Sequence, residues 1–446
     1  MSRLLRAVLL AGLVLPSLGG QSYASDDVLS PSKLPDREAL AARLWSHSPE
    51  VLGARMRTDF AEAEADRATR WPNPVLDAGW NTLPLGETNP PNLSQPISNV
   101  PNYQVGLSTA IELGKRGPRK AASRGGRDAA RLDAHETLRQ VYLDLFVTLG
   151  HVATAQERLA ALSEEVADAA RLTLLVHERA THGDLARLDE ERSRLEEAKL
   201  RALLSDGQHQ LSEALLDCGR IAGATCLPFD TTADSIAFLS TYSDPPPIDE
   251  AKQALSHRPD LRSLTAQESG ALAAGQLAKA KRLPDPTVRL GYTRDQFVVS
   301  GNQKHSVSVA LAIPLPFSER GQADAAIANA TARTAHELRE LRQAQAVRDL
   351  DRLAAQYQAL RERQRIMRGE YLPLAQSVVA RLTATVKAGG APLADLLVAR
   401  RSLNELLTDA SDVDRSVFEA SLAISRISGA RAPSPPATQD LPAQAP

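Results

Sequence analysis

The sequence is poor in the residues that usually mark catalysis or soft-metal transport. Its 446 residues include only two cysteines and three methionines, and aromatic residues make up 4% of the chain. Three methionines are too few to line a path for a soft metal ion. The formal net charge of −2 excludes a strongly basic nucleic-acid binder, so we expect no nucleic-acid partner.

Catalytic and ligand-binding motifs are also missing. The sequence contains no Gly-x-Gly-x-x-Gly, Walker or Gly-x-Ser-x-Gly pattern. Its nine histidines are scattered, and His135 and His151 have no His or Cys partner one helical turn away. We therefore expect no enzyme, no cofactor and no bound metal. Energy for any transport must then come from a partner protein.

Long apolar runs are lacking beyond the N-terminus. The run at 7–18 is too short to span a hydrocarbon core of about 30 Å. It follows Arg3 and Arg6 and precedes Ser22-Tyr23-Ala24, which predicts a cleaved signal peptide at 1–24 rather than a membrane anchor. No cysteine stands directly after this apolar run, so nothing indicates lipid attachment. The mature chain is then exported, and if it crosses a membrane it must use strands.

The two cysteines, Cys218 and Cys226, stand eight residues apart in what we interpret as a glycine-rich loop. In an oxidising compartment they are expected to form a local disulfide. The alternative, a metal site, is disfavoured because no histidine lies nearby.

The chain contains an internal duplication. Three separated segments recur in the same order at offsets of 208 to 212 residues. The matching pairs are Ser46–Val51 with Ser256–Leu261, Arg70–Pro74 with Arg282–Pro286, and Leu185–Leu188 with Leu393–Leu396. We place the first repeat at 25–245 and the second at 246–430, followed by a Pro- and Ala-rich tail at 431–446 that we expect to be disordered.

Each repeat contains two runs in which apolar residues alternate with small or polar ones. Period-two alternation over about ten residues is typical of a strand. An apolar face backed by a polar face fits a membrane-barrel strand, although a half-buried strand of a soluble sheet has the same local pattern. The export signal and the repeat favour the barrel. The predicted strands are 75–82, 103–113, 287–298 and 305–315.

Very long helices fill most of the remainder. Their apolar residues step by three and four, as in the seam of a coiled coil. The longest first-repeat helix, roughly 63 residues, would extend about 95 Å, and Pro373 should kink its second-repeat counterpart. The predicted helices are 36–70, 118–180 and 185–217 in the first repeat, and 260–282, 320–388 and 392–428 in the second.

One chain therefore supplies four strands, which cannot close a membrane barrel alone. Open strand edges in lipid leave costly unpaired N–H and C=O groups, and the smallest closed membrane barrels have eight strands. Two chains would supply eight strands and three would supply twelve. The expected fold class is an α+β membrane protein built from a tandem repeat of a β-hairpin and a long antiparallel helical hairpin.

In element order and duplication, nearly the whole mature chain resembles the TolC family of outer-membrane efflux proteins. Two motifs carry a resemblance to its cobalt–zinc–cadmium (CzcC-type) branch, which serves heavy-metal efflux. The first is Ile111-Glu112-Leu113-Gly114-Lys115-Arg116, where family members usually have two glycines. The second is the run Ile313-Pro314-Leu315-Pro316-Phe317-Ser318-Glu319-Arg320-Gly321-Gln322.

The resemblance implies a homotrimer whose twelve-stranded β-barrel in the outer membrane continues into an α-helical barrel in the periplasm. It also implies docking to a periplasmic adaptor and to a proton-driven (RND-type) pump of the inner membrane. The hairpin tips expected to contact the adaptor are Thr181, His182, Gly183 and Asp184 in the first repeat, and Gly389, Gly390, Ala391 and Pro392 in the second.

Charged residues near those tips are candidates for a periplasmic constriction. Asp184 and Asp395 could attract cations to a narrow entrance, and Arg381 and Lys387 are alternative constriction residues. A solvated helix cap is the favoured explanation of the acidic pair. For the whole protein the alternatives are a multidrug or type I secretion channel, or a periplasmic coiled-coil spacer that never enters a membrane.

Overall fold

The computed structural model describes residues 28–81, 102–183, 185–294 and 304–429. The predicted signal peptide, the tail, Asp184 and the last residues of two predicted strands (82 and 295–298) lie outside these ranges. The helices are α1 (Arg37–His47), α2 (Pro49–Arg67), α3 (Arg116–Thr181), α4 (Arg187–Ala222), α5 (Thr232–Tyr242), α6 (Ile248–Ala254), α7 (Pro259–Ala280), α8 (Gln322–Ile366), α9 (Leu372–Lys387) and α10 (Leu393–Ser428). The strands are β1 (Val28–Leu29), β2 (Val75–Asn81), β3 (Asn102–Ala110), β4 (Thr225–Cys226), β5 (Thr287–Arg294) and β6 (His305–Ala312).

Four of the strands form one antiparallel sheet in the order β2-β3-β5-β6. Each repeat contributes one hairpin, and β3 joins the two hairpins by pairing with β5. Strands β1 and β4, which are far apart in the sequence, form a second sheet of two parallel two-residue strands. In the described ranges, no helix combines the length and apolarity needed to cross a membrane.

The helices pack as two long hairpins, α3 with α4 and α8–α9 with α10. Helix α3 has 66 residues and extends about 100 Å. The main core lies where α3 meets α5 and α10, and it contains several of the scarce aromatic rings, among them the fully buried Phe418 against Phe238. Smaller clusters hold α8 against α10 and hold the ends of the two hairpins together.

Two predicted helices contain interruptions. The helix expected over 36–70 is split at Ser48, which is extended because Pro49 disfavours the helical conformation of the residue before it. The helix expected over 320–388 is interrupted by a π-helical turn at Met367–Tyr371. This wider turn lies just before Pro373, whose ring would clash with a carbonyl of a regular helix. The predicted strands 103–113 and 305–315 are also too long, since β3 ends at Ala110 and β6 ends at Ala312.

The placement of Cys218 in a loop was wrong. Helix α4 continues to Ala222, and Cys218 lies in its final turns. Gly223 ends the helix with a φ of 64°, and a Cβ there would lie 2.4 Å from the carbonyl oxygen of His47. Cys218 and Cys226 form a disulfide, and both are buried. Helices α5 and α6 were not predicted, although Thr231 and Asp234 form a capping box at the start of α5.

Candidate functional site

The two faces of the four-stranded sheet differ sharply in chemistry. The strand register places apolar residues of all four strands on one face, where Leu76 is 71% exposed and Val309 is 76% exposed. A large apolar surface left bare by the rest of a chain marks contact with lipid or protein. The opposite face carries small and polar side chains and lines a concave cavity of about 620 Å³. This arrangement matches a barrel wall with lipid outside and water inside.

The first sequence motif forms the junction between the sheet and the long helices. Lys115 Nζ lies 2.7 Å from an Asp285 carboxylate oxygen, and the backbone N–H of Leu113 donates to the other oxygen at 3.0 Å. Burial alone would raise the pKa of Asp285, but these two hydrogen bonds outweigh it and hold the pKa below its ordinary value. The contact ties the segment after β3 to the segment before β5, so it joins the two repeats.

Arg116 of the same motif and Arg119, one turn further along α3, fasten α3 to the segment after α2. Arg119 pairs with Glu112 and also donates to the backbone carbonyls of Ala68 and Arg70, both at 3.0 Å. Arg116 lies over the Trp71 ring with its guanidinium carbon 4.3 Å from the centroid, a cation–π geometry. We call these contacts the junction clamp. They fix how the strands connect to the bundle of long helices, which we call the shaft.

The second motif makes the corresponding turn before α8. Gly321 has a φ of 77° and lies so close to α7 that a Cβ would fall 2.1 Å from the carbonyl oxygen of Ala278. Its N–H donates to a Glu319 carboxylate oxygen at 2.6 Å, and the N–H of Arg320 donates to Gln322 at 2.7 Å. Gly114 of the first motif also has a left-handed conformation, with a φ of 70°, but its surroundings are open.

The tips of the two helical hairpins lie side by side at the end of the shaft. Leu172 and Val176 of α3 pack with Val386 of α9 and Leu393 of α10. Arg179 donates to the carbonyl oxygens of Val386 at 3.1 Å and of Lys387 at 2.6 Å, which caps the C-terminus of α9. A cavity of about 410 Å³ separates the two tips.

The structure thus brings the predicted tip residues to one end of the molecule. Exposed positions in both turns are Thr181, His182, Gly183, Gly389, Gly390 and Pro392. Gly183 and Gly389 have left-handed φ values of 81° and 79°. Ala391 is half-buried, and Asp184 is outside the described residues.

The candidate constriction residues Arg381, Lys387 and Asp395 are exposed at this end. Within the described chain none of their side chains forms an ion pair, so they are available to other chains or to solvent. In the same ranges, no three His, Cys, Asp or Glu residues are grouped closely enough to hold a metal ion.

Sequence reasoning missed two polar elements of the site. One is Arg179, whose capping role depends on the contact between two distant helices. The other is an ion pair on the concave face of the sheet, between Asp77 of β2 and Arg289 of β5. The sequence signal for this ion pair was that Asp77 and Arg289 occupy equivalent positions of the two repeats. Each follows one of the matching Pro-containing segments.

A family model described as outer membrane efflux protein matches residues 40–224 and 251–430. The cobalt-zinc-cadmium resistance protein CzcC of Cupriavidus metallidurans is 23% identical over 349 residues, covering 74% of this chain and 81% of CzcC. Because the family model spans most of the chain, it establishes membership.

Solved structures show the same fold. A crystal structure of CusC superposes with a TM-score of 0.72 at 17% identity, covering 88% of this chain and 91% of CusC. The CmeC outer membrane channel of Campylobacter jejuni gives 0.69 at 13% identity, covering 88% of this chain and 85% of CmeC. The predicted fold of long helical hairpins joined to a β-sheet is confirmed.

Membership also settles the coarse function. The family consists of transport channels rather than enzymes, and it implies a trimer that works with an adaptor and a pump. The chain belongs to the outer membrane efflux protein family, and it is an outer-membrane channel of a tripartite efflux system that extends into the periplasm.

Proposed function

We propose that this channel exports divalent heavy-metal cations, passively, for a proton-driven RND-type pump of the inner membrane. The observation that carries the proposal is the similarity to a cobalt-zinc-cadmium resistance protein over 349 residues. The two motifs that resemble the same branch, 111–116 and 313–322, support it further.

Deleting the gene should lower survival in cobalt, zinc or cadmium and leave antibiotic survival unchanged, because the pump would lose its only exit. The measurement is the minimum inhibitory concentration of each metal and of several antibiotics, with the deletion strain complemented by the wild-type gene as control. Loss of antibiotic tolerance with unchanged metal tolerance would instead identify a multidrug channel. A secretion defect without either loss would identify a type I secretion channel.

We further propose that the exposed tip residues dock the periplasmic adaptor. Both turns contain glycine, which has no side chain, so a partner can approach the backbone closely. The cavity between the tips offers a cleft, and Arg381, Lys387 and Asp395 are exposed charged groups near the tips. In an assembled channel, Asp395 would favour cations there, and Arg381 or Lys387 would oppose them.

Cysteine crosslinking tests the docking. A cysteine introduced at the tip, Thr181→Cys, and treated with a thiol- and amine-reactive crosslinker is expected to become linked to the adaptor in intact cells, with the product identified by mass spectrometry. The matched control is Glu164→Cys, an exposed site on the same helix about 25 Å up the shaft. Crosslinking at Glu164 but not at Thr181 would place the adaptor on the shaft and contradict tip docking.

A further inference from the structure

The concave face of the sheet carries two formal charges in the strands that the structure describes. They are Asp77 of β2 and Arg289 of β5. The other residues on that face of the four strands are glycine, alanine, serine, threonine, asparagine, glutamine and a single valine. Within the described strands, any electrostatic preference of this face therefore depends on those two side chains.

The two charges meet above the intervening strand. Asp77 lies opposite Gly106 of β3, and Gly106 lies opposite Gly291 of β5. A Cβ on Gly106 would fall 2.7 Å from the Asp77 carboxylate and 2.8 Å from Nε of Arg289. The ion pair thus passes over a glycine and spans two strand spacings, about 9–10 Å. Asp77 and Arg289 keep side-chain exposures of 36% and 38%, so both reach the water of the concave face.

The pair joins equivalent positions of the duplicated unit. Asp77 and Arg289 are 212 residues apart, the same offset as the segments Arg70–Pro74 and Arg282–Pro286 that precede them. Two identical charged residues at these positions would repel each other across the sheet. Opposite signs allow each copy to neutralise the other.

We propose that Asp77 and Arg289 determine the ion selectivity of the barrel, by compensating each other in the wild-type lumen. Charged side chains that ring a narrow pore select ions of the opposite sign. Because the chain assembles with copies of itself, one unpaired charge per chain becomes a ring of like charges. The pair therefore keeps the described part of the wall neutral, and loss of either member leaves that part with a net charge. The proposal rests on the channel assignment and is independent of the metal substrate.

Reversal potentials of the purified full-length channel in planar bilayers test this, across a potassium chloride gradient. Relative to wild type, Asp77→Asn should shift the permeability ratio severalfold toward chloride, and Arg289→Gln severalfold toward potassium. The exchange Asp77→Arg with Arg289→Asp should restore the wild-type ratio. Arg294→Gln is the matched control, because Arg294 lies on the same strand but faces the other side of the sheet; its ratio should not change.

Shifts in the same direction, or no shift in either single variant, would overturn the proposal. If a single variant does not insert, Gln104→Glu and Gln104→Arg replace it. These changes leave the ion pair intact and add one charge per chain to the concave face. They should move the permeability ratio in opposite directions, and an unchanged ratio in both would show that this face does not control selectivity.

Discussion

Replacing Gly321 with alanine is expected to lower the free energy of unfolding by about 3 kcal/mol or more. The left-handed backbone conformation of Gly321 costs an alanine about 1 kcal/mol or more. The new Cβ would also lie 2.1 Å from the carbonyl oxygen of Ala278, and relieving such an overlap costs about 1–3 kcal/mol. Because the neighbour is backbone of α7, no rotamer change can remove the clash.

Gly114→Ala is the matched control for this change. Gly114 has nearly the same φ, 70°, but nothing lies within 4 Å of the position of its Cβ. It should lose only the conformational part, about 1 kcal/mol. The measurement is thermal unfolding of the detergent-solubilised protein by circular dichroism, where about 1 °C corresponds to 1 kcal/mol for a chain of this length. Equal shifts for both variants would show that the approach to Ala278 is unimportant.

The second large effect is expected at a buried ion pair within α3. Arg139 is 2% exposed and Glu136 is 8% exposed. Arg139 donates two hydrogen bonds to the Glu136 carboxylate, at 2.5 and 2.9 Å, and one to the carbonyl oxygen of Arg426 in α10, at 2.6 Å. Arg139→Ala leaves a buried carboxylate without its cation, and we expect a loss of about 3–5 kcal/mol.

Arg171→Ala provides the comparison at the same spacing on the same helix. Arg171 pairs with Asp168 three residues earlier, but their side chains are 72% and 47% exposed. Its removal should cost about 0–1 kcal/mol. Adding Glu136→Leu to Arg139→Met should recover much of the stability lost in Arg139→Ala, since no buried charge then remains. A double variant as unstable as Arg139→Ala would show that the hydrogen bond to Arg426 is the important contact.

The elements with strong periodicity were predictable from the sequence. Strands β2, β3, β5 and β6 begin within one residue of their predicted starts, because one apolar face fixes the pattern at every second residue. The start of α10 was likewise within one residue, because Pro392 is suited to the position before a helix. The sequence also contained the two motifs, although it did not reveal that Lys115 pairs with Asp285.

The region between the repeats was not predictable to the same degree. Residues 223–257 contain short helices whose stability comes from distant partners, such as Phe146 and Phe418 around Phe238. Pairing of β1 with β4 depends on residues almost two hundred positions apart. The Asp77–Arg289 contact likewise required the strand order, since it depends on β3 lying between β2 and β5.

The unbroken α3 and the interrupted α8–α9 give the two copies of the duplicated unit different mechanical properties. Helix α3 runs without a break from the junction clamp to the tip, so it acts as a stiff strut. Its counterpart is jointed at Met367–Tyr371, about one third of the way up from the tip. Bending at that joint can move the tip of the second hairpin while the first holds its length. Each chain therefore combines one continuous long helix with one that is interrupted before it reaches the tip.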